Sequence, residues 1–324
     1  VEGLGTVYDK CEREAKIASY LANKLQVSET ELLQKAVMLS KADLMSEMVY
    51  EFTELQGLMG YYYSKIAKND EKISLALKEQ YLPSGENSEL PSTIFSSIVA
   101  MSNKIDNLMA LFSVGKIPTG SKDPFALRRA ALGVVKIAIE HKLDIDFKTI
   151  IEDLKVNYTN LDTKLLLEFF NERLFKIFDV NPTVLKAVLS SGETNIYKIY
   201  QKVEALNPVV ESDNFKDYSA TFKRVANIVK DVDLSTDLNI NNSLFEQNEE
   251  KELYTNFEKI KATNFLSFDE ELEALFDLKP QLDSFFEKVF VNHEDEKIKT
   301  NRKNLIAQVY LGFRNIADIK EITI

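Results

Sequence analysis

Leu, Ile, Ala and Phe recur at three- and four-residue intervals along most of the chain, with Lys and Glu between them, and apolar–polar alternation is sustained nowhere. Such spacing stacks side chains on one face of a helix, so the pattern predicts an all-α protein. Glu31 to Tyr50 reads as one helix with Leu32, Ala36 and Leu39 on one side. Thr93 to Phe112 reads as another, with Ile94, Ile98, Ile105, Met109 and Phe112 inward. Asp123-Pro124 has the form of a helix start, an acid to cap free amides and a proline for the first turn, and predicts a helix to about His141. Asn181-Pro182 and Lys279-Pro280 open two more. The second leads into Leu282, Phe285, Phe286, Val289 and Phe290, whose aromatic side chains are expected in the core. Pro83–Pro91, Asn207–Asp217 and Asp231–Asn242 lack the helical period and are expected to be loops. A change of pattern around Asp144 to Asp162 suggests domains at 1–158 and 159–324.

At 324 residues and 45% hydrophobic content the chain can bury a core of about two domains. No apolar run reaches the ~18 residues of a membrane span, and no secretory signal pattern opens the chain, so the cytoplasm is the expected location. The sequence begins Val1-Glu2-Gly3 without an initiator Met and reads as a piece of something longer. Cys11 is alone, which excludes an internal disulfide and a thiolate metal cluster. His141 and His293 are far apart and neither has a second His at ligand spacing. There is no Gly-rich phosphate loop and no Gly-x-Ser-x-Gly elbow, so ATP chemistry within these residues is unsupported.

Net charge is −11, which argues against indiscriminate coating of nucleic acid but leaves room for a local basic patch. One such patch lies between Lys116 and Lys142, where six Lys/Arg (116, 122, 128, 129, 136 and 142) face two acids, Asp123 and Glu140. At 100° per residue Arg129, Gly133, Lys136 and Glu140 share a polar sector. Arg129 and Lys136 are therefore expected to face outward towards phosphate. Arg128 falls among Leu132, Val135 and Ile139, where a guanidinium needs a carboxylate partner or a ligand. Asp43 shows the converse, a carboxylate on the apolar face with Leu32, Ala36 and Leu39, and it too needs a partner.

The strings Leu4-Gly-Thr-Val-Tyr-Asp-Lys10, Lys41-Ala-Asp-Leu44, Glu51-Phe-Thr-Glu-Leu-Gln-Gly57, Glu79-Gln-Tyr-Leu-Pro83 and Ile117-Pro-Thr-Gly-Ser-Lys-Asp-Pro-Phe-Ala-Leu-Arg-Arg-Ala-Ala-Leu-Gly133 resemble, in order and spacing, the beta subunit of bacterial glycyl-tRNA synthetase. Weaker similarity continues through Leu166–Arg173, Lys223–Ile228, Leu282–Asp295, Asn301-Arg302 and Asn315–Asp318, covering essentially the whole chain. The resemblance implies a helical domain similar to the HD phosphohydrolases, followed by a helical-bundle anticodon-binding domain. It further implies a tRNA-binding piece of glycine–tRNA ligase that carries no catalytic residue, acts with the alpha subunit in a heterotetramer, and leaves ATP and Mg²⁺ to that partner. Transfer RNA for glycine is the expected ligand; membrane and DNA are not expected partners.

The metal site of an HD enzyme looks degenerate. Ala42-Asp43 stands where a His-Asp pair is expected, and Asn103 where the last acid is expected, so Asp43 reads as a remnant paired with Arg128 or Lys41. Candidate tRNA contacts are Lys122, Arg128, Arg129 and Lys136 in the first domain. In the second they are Lys223, Arg224 and the cluster of Lys297, Lys299, Arg302 and Lys303, which Glu294, Asp295 and Glu296 partly screen. Two rival readings are a metal-dependent HD-type phosphohydrolase, against which the missing histidines weigh, and a helical scaffold for protein partners, which the negative charge favours.

Overall fold

The structure is a computed structural model that describes residues 1–323. It is all-α: among the described residues the only β pairing is two isolated bridges, Thr119 with Lys122 and Asp146 with Asn195. The helices are α1 (Val7–Lys24), α2 (Thr30–Leu39), α3 (Glu47–Glu51), α4 (Leu58–Ile66), α5 (Glu71–Glu79), α6 (Ile94–Ser113), α7 (Leu127–Glu140) and α8 (Phe147–Leu154). There follow α9 (Thr163–Leu174), α10 (Pro182–Ser190), α11 (Ile196–Glu211), α12 (Phe215–Ile228), α13 (Asn248–Ala262), α14 (Phe268–Phe276), α15 (Lys279–Lys288) and α16 (Glu296–Arg314). No helix among the described residues is long and apolar enough to cross a membrane.

Two compact units result. The first comprises Val1–Asp179 with Thr194–Tyr197, the second Val180–Glu193 and residue 198 onward. The division differs from 158/159 because Leu166, Phe169 and Phe170 of α9 are buried with α6, α7 and α8. Phe170 stacks on Phe147 at 3.7 Å, and Phe169 meets Phe112 at 5.1 Å. Residues 194–197 join the first unit because Ile196 N–H donates to the Ile145 carbonyl at 2.9 Å.

In the first unit α6 is the central post, with Ile98, Ile105, Leu108 and Met109 fully buried. It also carries Asp106, which accepts hydrogen bonds from Lys10 Nζ (2.9 Å), Arg13 Nε (2.8 Å) and Tyr158 Oη (2.9 Å). A buried carboxylate so surrounded by donors is compensated and pins α1 to α6. In the second unit Phe222, Phe276 and Phe313 bring α12, α14 and α16 together at centroid distances of 4.2 to 5.4 Å.

Several elements differ from expectation. The helix read over Glu31–Tyr50 ends at Leu39 and resumes, after a short 3₁₀ turn, as α3. Asp43 turns inward there, and Ser46 caps α3 by accepting from Val49 N–H at 3.3 Å. The helix expected from Asp123 starts at Leu127. Asp123 still caps it, accepting from Leu127 and Arg128 amides at 2.9 Å each, but Ala126 adopts left-handed geometry at φ 53° and makes residues 124–126 a turn. The expected loop Asn207–Asp217 is mostly helix, with Pro208 inside α11. One lost donor is outweighed there by the buried Val203, Leu206 and Val210.

Candidate nucleic-acid interface

Arg129 and Lys136 lie two turns apart on α7 and both reach the loop between α5 and α6. Arg129 donates to the Ser84 carbonyl at 3.0 Å and Lys136 to the Glu86 carbonyl at 2.5 Å. With Lys176, Leu132 and Ile177 they line a cavity of about 420 Å³. Gly133 also lines it, and a Cβ there would stand 2.5 Å from Lys104 Cε, so a larger residue would force that buried lysine side chain to shift. Lys104 is buried and donates to the Tyr81 carbonyl at 3.1 Å; burial, then the charge of Lys41, pushes its pKa down to about 7. Lys122 is exposed at the preceding turn and does not line this cavity. Arg128 is half-buried as expected, but its partner is the Gly120 carbonyl at 2.6 Å rather than a carboxylate.

Asp43 therefore finds other partners. Its Oδ2 accepts from the amides of Gly57 (2.6 Å) and Gly60 (3.2 Å) at the start of α4, not from Arg128 or Lys41. Asn103 donates to Glu14 Oε1 at 3.0 Å, and Lys41 donates to Gln80 Oε1 at 2.5 Å with Glu14 3.8 Å away. The residues of the degenerate site are thus bonded into two separate networks beside two buried lysines. Among the described residues no group of three His, Cys, Asp or Glu side chains is placed to hold a metal.

In the second unit, Lys223 and Arg224 are neighbours on the exposed side of α12, and their 100° separation sends them into different cavities. Arg224 lies 4.5 Å over the Phe286 ring and donates to the Phe286 carbonyl at 3.1 Å. Its cavity, about 550 Å³, is also lined by Phe290, Asn227 and Lys303. Phe290 is 67% exposed, which corrects its expected place in the core. An exposed aromatic beside two cations offers a stacking face with phosphate-binding groups at its edge.

Lys223 opens onto a cavity of about 570 Å³ lined also by Lys230, Arg314, Lys320 and Tyr310, with no acid in its wall. Asp318 behind it pairs with Lys320 at 2.9 Å and accepts from Tyr310 Oη at 3.0 Å, leaving three of the four cations unopposed in the wall. Sequence reasoning missed Lys230, Arg314 and Lys320. Lys230 stands seven residues after Lys223, a helical repeat that could have revealed it. Arg314 and Lys320 reach the site only through the packing of α16 and the following turn on α12.

Arg302 is not at any surface. At 1% exposed it donates to Glu250 (2.8 Å), to Glu246 (2.9 Å) and to the Phe290 carbonyl (3.0 Å). It is a structural residue that fixes the backbone under Phe290. Lys297 is exposed beside Glu296, and Lys299 is paired with Glu296 at 3.0 Å, so neither contributes an open basic face.

Residues 1–190 match the family model of the glycyl-tRNA synthetase beta subunit, and residues 218–323 that of the DALR anticodon binding domain. The glycine–tRNA ligase beta subunit of Helicobacter pylori (strain Shi470) is 45% identical over all of this chain and 48% of its own length. Those of Sulfurihydrogenibium sp. (strain YO3AOP1) and Pseudomonas syringae pv. tomato are each 36% identical, over 99% and 98% of this chain and 47% and 48% of theirs. The chain thus spans about half the length of the curated relatives it matches. Fold and site define an all-helical protein in which basic cavities, rather than clustered catalytic groups, are the prominent chemistry. The chain belongs to the glycyl-tRNA synthetase beta subunit family.

Proposed function

We propose that this chain is the tRNA-gripping portion of a glycine–tRNA ligase beta subunit. It holds tRNA(Gly) while the alpha subunit, in a heterotetramer in the cytoplasm, activates and transfers glycine with ATP and Mg²⁺. The observation that carries the reading is the acid-free cavity of Lys223, Lys230, Arg314 and Lys320, set within the residues that match an anticodon-binding domain in a chain of net charge −11. Concentrated positive charge on an otherwise acidic surface selects a shaped polyanion by position as well as by charge.

In this reading the cavity cations take backbone phosphates, Phe290 stacks an unpaired base, and Arg224 and Lys303 hold its flanking phosphates. Arg129 and Lys136 contact the phosphate backbone elsewhere on the same RNA, with Lys122 and Arg128 at the margin of that patch. Binding energy collected remotely from the reacting groups is then spent on orienting the terminal ribose at the partner's site. The relatives' name supports the ligase assignment, and no observation favours the phosphohydrolase: Ala42 offers no ligand atom, and one oxygen of Asp43 is held by two amides.

The test is equilibrium binding of tRNA(Gly) and of an unrelated tRNA across a salt series, with and without the alpha subunit. The reading expects preference for tRNA(Gly) and affinity that falls linearly in log salt. Indifference to both RNAs in both conditions would overturn it.

A further inference from the structure

The loop between α5 and α6 is anchored at its base and lightly held at its tip. At the base Pro83 and Pro91 are buried, and the Glu79 carboxylate accepts from the Ser92 amide at 3.0 Å and from its hydroxyl at 2.8 Å. Lys104 holds the Tyr81 carbonyl there, and the His141 ring meets the Pro91 carbonyl at 2.8 Å. Between these anchors residues 84–89 close a turn on themselves, Ser84 N–H donating to Ser88 Oγ at 3.0 Å and Ser88 N–H to the Gly85 carbonyl at 3.4 Å. Among the described residues only two hydrogen bonds tie this turn to the rest of the molecule, and both come from α7: Arg129 to the Ser84 carbonyl and Lys136 to the Glu86 carbonyl.

The turn therefore occupies the cations of the cavity it borders. A guanidinium and an ammonium are satisfied here by neutral main-chain carbonyls, a weaker pairing than either makes with a phosphate oxygen, where both partners are charged. Glu86 stands in the cavity wall with Arg129, Lys136 and Lys176, so the turn also sets a carboxylate where a phosphate would approach. Nothing else holds the tip down. Its sequence, Ser84-Gly-Glu-Asn-Ser-Glu89, has no apolar side chain to bury, and a Cβ built on Gly85 would meet no atom within 4 Å beyond its chain neighbours. A polar segment on two surface hydrogen bonds opens locally at small cost.

We infer that residues 83–91 form an autoinhibitory strap, closed on α7 in the free protein and displaced when backbone phosphates of the RNA take Arg129 and Lys136. The inference deepens the proposed function and rests on it. The two buried prolines are the hinges, and the two α7 cations are the latch. Because the latch residues are also the phosphate ligands, closure and RNA contact exclude each other, and the apparent affinity at this face is reduced by the fraction of molecules in which the strap is open.

The experiment uses the full-length beta subunit with Asn87→Cys carrying a nitroxide at the exposed tip, Cys11 being buried and any other exposed cysteine of that subunit replaced. Electron paramagnetic resonance should show a restrained label in the free protein. Saturating tRNA(Gly) should shorten its correlation time by at least about two-fold, and Arg129→Ala with Lys136→Ala should do the same with no RNA present. In the unlabelled protein Glu86→Gln, which keeps the side-chain volume and the carbonyl, should tighten tRNA(Gly) binding by about two- to ten-fold at low salt with an unchanged melting temperature. A label left restrained in the double alanine variant would overturn the strap, as would wild-type or weaker tRNA affinity in Glu86→Gln. Binding of tRNA(Gly) that leaves the label restrained would overturn the strap alone and leave the proposed function standing. Failure of tRNA(Gly) to bind the wild-type protein, with or without the alpha subunit, would sink both.

Discussion

Lys104 under Gly133 shows how one missing side chain admits another. Burial and Lys41 hold its pKa near 7, against 10.5 in the unfolded chain. Between those values the unfolded state binds the extra proton, so stability rises with pH; below about 7 both states are charged and the penalty is complete. The stability difference between wild type and Lys104→Met, from denaturant titrations, should move in favour of wild type from pH 7 to 10, by at most about 4 kcal/mol. A pH-independent difference would remove the buried ammonium from the account. At the neighbouring cavity, Arg129→Glu should weaken tRNA(Gly) binding with the melting curve within about 0.5 kcal/mol of wild type, because the side chain is exposed and bonded to one loop carbonyl. Unchanged affinity would mean that this face does not meet RNA. The outward direction of Arg129 was legible from helical spacing. The partners of Arg128 and Asp43 were not, because a main-chain carbonyl or amide leaves no mark on residue type.

Arg302 reads in the sequence as one cation of a basic cluster with Lys297, Lys299 and Lys303. In the fold it is the link between α16, α13 and the backbone at Phe290, and hydrogen bonds to Glu250 and Glu246 raise its pKa against the opposing effect of burial. Removing one side of a buried pair strands the other, so Arg302→Met should cost about 3–5 kcal/mol and lower the melting temperature; a loss below about 1 kcal/mol would contradict the assignment. The helix starts at Asn181 and Lys279 were readable because an Asn cap in the one and a proline in the first turn of both are local signals. The break after Leu39 and the helix running through Pro208 were not, since tertiary partners decide both. Phe290 escaped for the same reason: aromatic type predicts burial, and only packing reveals an exposed ring.

At the scale of the molecule, cations are concentrated in a chain with a surplus of acids. Order and spacing of motifs exposed the family, and hydrophobic period exposed the fold class, because both are linear properties. The four-cation cavity was hidden because Lys223 and Lys230 are almost a hundred residues from Arg314 and Lys320, and only the docking of α16 against α12 unites them. The account depends on those cations gripping phosphate. The most direct test is the salt dependence of tRNA(Gly) binding by wild type and by a Lys223→Glu, Lys230→Glu, Arg314→Glu variant that keeps its melting temperature. Removing each phosphate-binding cation should reduce the log–log slope by about one, so the variant should bind more weakly at low salt and approach wild type as salt rises. Equal affinity and equal slope in the two proteins would contradict it.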